Sequence, residues 1–141
     1  MNKIKRLFDF LKIIPVSILL LFGHNFTLAQ SKPWLVPREA LNVKNPLASD
    51  ASSILTGKAL YTSYCSPCHG DKGKGDGVAS AALSSKPADH TSATIQSETD
   101  GSLFYKLSEG RTPMPQYKSA LNETQRWELI NYIRTLAKKT K

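Results

Sequence analysis

The sequence predicts an all-α fold, and three observations carry that expectation. Leu103, Phe104 and Leu107 fall at helical spacing between Asp100 and Glu109, and Trp127, Ile130, Ile133 and Leu136 or Ala137 form a second apolar face. No stretch alternates apolar and polar residues in the manner of a half-buried strand. The breaks in helical pattern fall where glycine or proline collects, at 70–77 and 110–115.

Taken in order, residues 1–29 read as a signal peptide. Lys3, Lys5, Arg6 and Lys12 give a basic start, an apolar run follows from Ile13 to Phe22, and Thr27-Leu28-Ala29 offers small residues before a cut. The apolar run is about ten residues, short of the roughly 20 that span a bilayer. The alternative is an uncleaved anchor from Leu7 to Leu28, in which case the protein is membrane-associated. Cleavage after Ala29 leaves 15 Lys and Arg against 10 Asp and Glu, so the net charge of +8 falls to about +5. That modest balance gives no reason to expect nucleic acid as a partner.

Residues 30–52 read as an extended arm, because Pro33, Pro37 and Pro46 interrupt any helix while Trp34, Leu35, Val36, Leu41 and Leu47 keep it apolar. Such an arm either lies over its own domain or serves as a docking strand. The main domain then occupies 53–141. A first helix is expected from Ser53 to Tyr64, with Gly57 allowing another helix close. A polar stretch to Glu98 has short helical pieces at best. A helix from Asp100 to Glu109 stops at Gly110. The last helix starts near Asn122, where Asn122 and Gln125 resemble a capping box. Lys138, Lys139 and Lys141 crowd its far end, where a helix favours cations.

The strongest chemical signal is Cys65-Ser66-Pro67-Cys68-His69. Haem carries two vinyl groups on neighbouring pyrroles. Two thiols three positions apart can each form a thioether with one of them, and the adjacent histidine then supplies an axial nitrogen. This predicts one covalent haem c held through Cys65 and Cys68. The attachment chemistry belongs outside the cytoplasm, which agrees with the export signal and points to the periplasm. A structural zinc site would need four ligands, and a second cysteine pair is missing. A thioredoxin-like pair would need strands. A plain disulfide would leave His69 without a role.

Haem iron has a sixth position. After signal cleavage Met114 is the sole methionine, 45 residues beyond His69 and between Pro113 and Pro115. A thioether ligand favours ferrous iron and raises the potential. The rival ligand is His90, and an open site would suit gas binding or peroxidase chemistry. The run Gly70 to Gly77 lacks the Gly-Lys-Ser/Thr ending of a phosphate loop, and Asp71 and Asp76 are wrongly spaced for a calcium loop. It reads as a turn, with Asp76 as a local cap.

From about Thr56 to Lys138 the chain resembles class I cytochrome c, of the small single-haem bacterial kind. The match rests on Gly57-Lys58-x-Leu60-Tyr61, Cys65-Ser66-Pro67-Cys68-His69-Gly70, Gly73-x-Gly75-Asp76-Gly77, Gly110-Arg111-x-Pro113-Met114-Pro115 and Trp127-x-x-x-x-Tyr132-Ile133-Arg134-x-Leu136. The resemblance implies three to five helices around one haem. The first and last would cross near Gly57 and Tyr61 on one side and Trp127, Ile130 and Tyr132 on the other. It implies His69 and Met114 as axial ligands. It also implies that the Pro87 carbonyl accepts from the second ring nitrogen of His69, and that Arg111 approaches a propionate.

The expected function is single-electron transfer without catalysis, as a soluble monomeric shuttle or as a subunit of a respiratory complex, with redox proteins as partners. Lys72, Lys74, Lys86 and Lys118 are candidates for steering acidic partners to the haem edge. The alternative is a haem enzyme or gas-binding protein with an open or labile sixth site.

Overall fold

A computed structural model of the protein describes residues 33–48 and 50–137. The signal segment lies outside the described residues, as do 30–32 of the expected arm and the lysines at 138, 139 and 141. Six α-helical segments follow one another among the described residues: α1 (Arg38–Leu41), α2 (Ala51–Tyr64), α3 (Ser66–His69), α4 (Ala93–Gln96), α5 (Asp100–Glu109) and α6 (Glu123–Thr135). A 3-10 turn, Ser80–Ala82, lies between α3 and α4. The described residues contain one isolated bridge, Arg111 to Met114, and no strand. None of the described helices is long and apolar enough to cross a membrane.

Local chemistry sets the helix ends. α2 begins two residues before the expected Ser53, because Asp50 caps it: its carboxylate accepts from the Ser52 N–H and hydroxyl, both at 2.8 Å. α5 matches its expected bounds. Thr99 caps it by accepting from Ser102 N–H at 3.1 Å, and Gly110 ends it with φ +64°. The capping box of α6 is complete: Gln125 N–H donates to Asn122 Oδ1 at 2.9 Å, and Asn122 N–H to Gln125 Oε1 at 3.0 Å.

The three longer helices meet around one apolar core. Tyr61 from α2, Leu103 and Leu107 from α5, and Trp127, Leu129, Ile130 and Ile133 from α6 are buried in it. Leu129 and Ile130 are fully buried, each contributing about 1.5–3 kcal/mol of transfer free energy. α2 crosses α6 at Gly57, where a Cβ would stand 2.0 Å from the Glu128 carbonyl oxygen and 3.1 Å from Tyr132 Cβ. Tyr61 and Tyr132 pack one turn further on, ring centroids 5.1 Å apart. Trp127 stacks instead on Phe104 of α5 at 4.0 Å, so its ring joins α6 to α5.

Residues 34–48 are not extended throughout. Pro37 stands at the N-cap of α1 with φ −58°, a position where its ring suits a helix start and its missing N–H costs nothing. The turn lies on α5: a Cβ at Gly101 would meet the Ala40 carbonyl oxygen at 2.0 Å. Further on, Asn45 Nδ2 donates to Asp100 at 3.1 Å and to Asn131 Oδ1 at 2.7 Å. Asn131 in turn donates to Leu47 carbonyl oxygen at 2.7 Å and Ser53 Oγ at 2.6 Å. This buried amide ties the segment, α2 and α6 together, so the segment packs on its own domain.

A second polar knot centres on Arg134 of α6. It pairs with Asp100 at 2.7 Å and donates to the carbonyls of Gln96 at 3.0 Å and Glu98 at 2.6 Å. It thereby satisfies carbonyls at the end of α4 and fixes the start of α5.

Candidate functional site

Cys65 ends α2 by donating its N–H to the Tyr61 carbonyl at 2.9 Å, and the single turn α3 carries Cys68 and His69 onward. The carbonyls of that turn are then bonded by every second residue of the glycine run. Gly75 N–H donates to His69, Gly77 to Cys68 and Ala79 to Pro67, at 2.8, 3.1 and 2.9 Å. Glycine is required where backbones approach: a Cβ at Gly77 would meet the Pro67 carbonyl oxygen at 2.3 Å. Asp76 lies over Gly70, where a Cβ would meet its carboxylate oxygen at 2.0 Å. The glycine run is a harness for the Cys-x-x-Cys-His turn.

His69 is half-buried, and its Nδ1 lies 3.0 Å from the Ala88 carbonyl oxygen. A carbonyl only accepts, so Nδ1 carries the proton and Nε2 keeps its lone pair. The expected acceptor was the carbonyl of Pro87, one residue earlier. That carbonyl is turned against Gly75 instead, 2.3 Å from where a Cβ would stand, which moves the role to Ala88. Burial lowers the His69 pKa, and the bond to Ala88 partly opposes this. Burial also pushes the Cys65 thiol up to about 12, with Cys68 adding to the effect. Neither cysteine is in a disulfide.

Met114 comes from the loop after α5, which is fastened at both ends. Arg111 and Met114 exchange backbone bonds at 3.0 and 2.8 Å. Tyr117 N–H and Lys118 N–H then return to the carbonyls of Leu107 and Ser108 on α5, at 3.2 and 3.3 Å. The Tyr117 hydroxyl donates to the Tyr64 carbonyl at 2.8 Å, joining this loop to the end of α2 beside Cys65.

These pieces line one cavity of about 280 Å³. Cys65, Cys68 and His69 line it together with Pro113, Met114 and Pro115, and Leu103, Leu107, Ile130 and Ile133 are among its apolar lining. Trp34, Lys106 and Arg111 also line it, the Arg111 guanidinium 4.7 Å and the Lys106 ammonium 5.8 Å from the Trp34 ring centre. Lys106 is in turn paired with Glu98 at 2.5 Å.

His90 is also at this cavity but stands beside His69. The two imidazoles stack, centroids 4.1 Å apart and planes 17° apart. A ring on the face of His69 does not lie along the direction of its Nε2 lone pair. Burial lowers the His90 pKa to about 3, with the neighbouring His69 adding to the shift. The four lysines expected at a docking face, Lys72, Lys74, Lys86 and Lys118, are all exposed, and Lys86 borders the cavity. Lys118 is engaged with Glu109 at 2.8 Å. The sequence reading missed Ala88, Trp34 and Tyr117. Ala88 follows a loop with no fixed register, and the other two are ordinary apolar residues until the chain brings them to the cavity.

A family model described as cytochrome C oxidase, cbb3-type, subunit III matches residues 52–133. The chain belongs to this family of c-type cytochromes. It is therefore a haem protein of electron transfer with an all-α cytochrome fold. No curated protein sequence matches it significantly. Among solved structures, it is similar to a chain of the Kuenenia stuttgartiensis reducing HAO-like protein complex, with 25% identity and a TM-score of 0.60. The match covers 76% of this chain and 52% of that one, so the cytochrome spans about half the length of the solved chain it matches.

The residues present fit haem c. One apolar cavity is lined both by a paired-thiol turn, whose imidazole keeps its Nε2 lone pair, and by a thioether in a fastened loop. This donor set is soft and nitrogenous, as haem iron takes, and the described residues hold no cluster of three or more His, Cys, Asp or Glu suited to a lone metal ion.

Proposed function

We propose that this cytochrome carries single electrons on one haem, attached through Cys65 and Cys68 and ligated by His69 and Met114. The observation that supports it most is the shared cavity: the Cys65-x-x-Cys68-His69 turn and the Pro113-Met114-Pro115 loop, far apart in sequence, line the same apolar space. Bound there, the haem would supply a one-electron Fe(III)/Fe(II) couple. The two thiols would fix the group to the chain by adding across its vinyl groups, each sulfur bonding one carbon and its hydrogen passing to the other. Ala88 holds the His69 proton on Nδ1 and so keeps Nε2 available as a ligand. The apolar lining excludes water and favours the less charged, reduced state. Arg111 is well placed at the cavity to meet a propionate.

The reading includes no catalysis. With His69 and Met114 both holding the haem, the chain would leave no place for a substrate on the iron. Its setting is the periplasm, supported by the export-like first 29 residues and by the compartment that thioether attachment requires. Its partners are redox proteins, met either as a monomeric shuttle or as a subunit of a larger assembly. The likeness to a chain of a redox complex supports the second arrangement.

The test is expression with haem-attachment machinery, then extraction with acidic acetone. Haem that stays with the polypeptide supports the thioethers, and haem that extracts refutes them. The ferric protein should show the weak sulfur-to-iron band near the red end of the visible spectrum. Its absence, with ready binding of carbon monoxide to the ferrous form, would favour an enzyme or gas-binding protein. Cell fractionation and N-terminal sequencing of the mature protein should find Gln30 first, in the periplasm.

A further inference from the structure

His90 is more tightly held than a residue filling space needs to be. Its N–H donates to the Gly73 carbonyl at 2.6 Å, and its own carbonyl accepts from Gln96 Nε2 at 2.7 Å. The same Gln96 nitrogen reaches the Ile133 carbonyl at 2.9 Å, which ties His90 to α6. Its Nδ1 lies 3.1 Å from the Tyr61 hydroxyl, and Tyr61, 1% exposed, also reaches the Gly70 carbonyl at 3.3 Å. Gly73 closes over it, since a Cβ there would stand 3.1 Å from His90 Cβ and 3.3 Å from the Tyr61 hydroxyl. Backbone on both sides, side chain and covering loop all fix this ring, and the face it presents is laid against His69 at 4.1 Å and 17°.

We propose that His90 is a positioning residue for His69: its ring, tethered by Tyr61 and stacked on the His69 imidazole, sets the angle that the His69 plane takes about the bond from Nε2. This rests on the reading of His69 as an axial ligand. The bond from Nδ1 to the Ala88 carbonyl does not do this alone. Carbonyl acceptors tolerate a broad range of donor directions, so the imidazole could swing about its Nε2 axis while keeping that bond. A flat ring in van der Waals contact with one face opposes the swing, because rotation drives the edge of His69 into it. Outer groups that orient a ligand tune the metal through it. Here the tuned quantity is the direction in which the imidazole π system meets the iron d orbitals.

The experiment uses the full chain with haem attached, as wild type and as H90L, H90F and Y61F. In each, the covalent haem and the sulfur-to-iron band are checked first. Their absence from the wild type would sink the ligand assignment itself, a different failure from the one sought here. The readouts are the largest g value in the ferric electron paramagnetic resonance spectrum and the spread of the haem methyl shifts in ferric NMR. Both follow the orientation of the axial imidazole and are indifferent to general loosening elsewhere. H90L should shift and broaden both, because the flat face is lost. H90F keeps that face but loses the tie to Tyr61, so it should fall between the wild type and H90L, beside Y61F. Y61F should shift both in the same direction as H90L but by less. Should H90L lose its haem, Y61F against the wild type decides. Spectra of H90L and Y61F that superimpose on the wild type would overturn the proposal. So would H90F matching H90L, since an aromatic face would then make no difference.

Discussion

Gly57 lies so close to Glu128 that a Cβ on the glycine would stand 2.0 Å from the carbonyl oxygen of its partner. The contact is backbone against backbone, so no side-chain rotation relieves it. It sets how near α2 and α6 can come, and hence how the Tyr61 hydroxyl reaches Gly70 and His90. Gly57→Ala should lower stability by about 1–3 kcal/mol, the usual cost of overpacking a well-filled contact. Urea denaturation of the haem-loaded protein measures it. An unchanged midpoint would mean that the helices separate freely and that the close crossing does not matter.

Asn131 gathers three polar contacts in a buried place, to Asn45, Leu47 and Ser53. Asn131→Ala leaves the Ser53 hydroxyl and the Leu47 carbonyl without this donor, which costs about 1–3 kcal/mol for the groups left unsatisfied. It should also free residues 34–48 from α6. Limited proteolysis should then cut within that segment sooner than in the wild type, at a denaturant midpoint lower by the same change in stability. Equal cleavage rates would show that the α1 contact with α5 is enough to hold the segment.

Met114→Ala removes the one methionine sulfur among the described residues lining the cavity. The ferric red band should vanish, the reduction potential should fall, and ferrous iron should bind carbon monoxide. The fastened loop should keep its shape, because its bonds to Arg111, Leu107 and Ser108 are made by backbone. Redox titration and carbon monoxide binding check this. A variant with unchanged potential and band would mean that another residue ligates the iron.

Tyr61 and Tyr117 are both buried, and burial raises both phenols, Tyr117 up to about 12. Each is held neutral in the fold and ionises near its ordinary value of 10 once unfolded. The unfolded chain therefore loses protons first as pH rises. Stability from this source is complete below pH 10 and, for Tyr117, falls between about 10 and 12. Denaturant midpoints measured across that window should decline, and Tyr117→Phe should reduce the slope. A flat profile would show that the phenols ionise freely inside the fold.

Much of this was legible in the sequence where the signal is local. α5 and the capping box of α6 follow from Gly110, Asn122 and Gln125, whose preferences act within a turn or two. The Gly57 crossing was legible for a similar reason, since a lone glycine in a helix marks a close neighbour. What escaped depends on distant partners. Pro37 looked like a helix breaker and proved to be a helix starter, because the same fixed φ serves both. The acceptor for His69 moved from Pro87 to Ala88, since only the fold decides which of two adjacent carbonyls turns toward Gly75. The roles of Asn131 and Arg134 carry no local signal and emerge only when Asn45 and Asp100 come to meet them. His90 was weighed as a ligand because sequence shows a histidine's type and not its side. The stacking places it next to His69.

The glycine harness has a consequence for how this protein can change over generations. Gly73, Gly75 and Gly77 are buried, while Lys72, Lys74 and Val78 between and around them point outward, Val78 being 96% exposed. The backbone groups at 75, 77 and 79 do the holding, and they are the same whatever side chain stands at 72, 74 or 78. Charge and apolar character at those three positions can therefore drift or be selected without disturbing the turn of Cys65, Cys68 and His69. A lineage could retarget this face from one redox partner to another by single substitutions, while any side chain added at the inward glycines would strike the atoms packed against them.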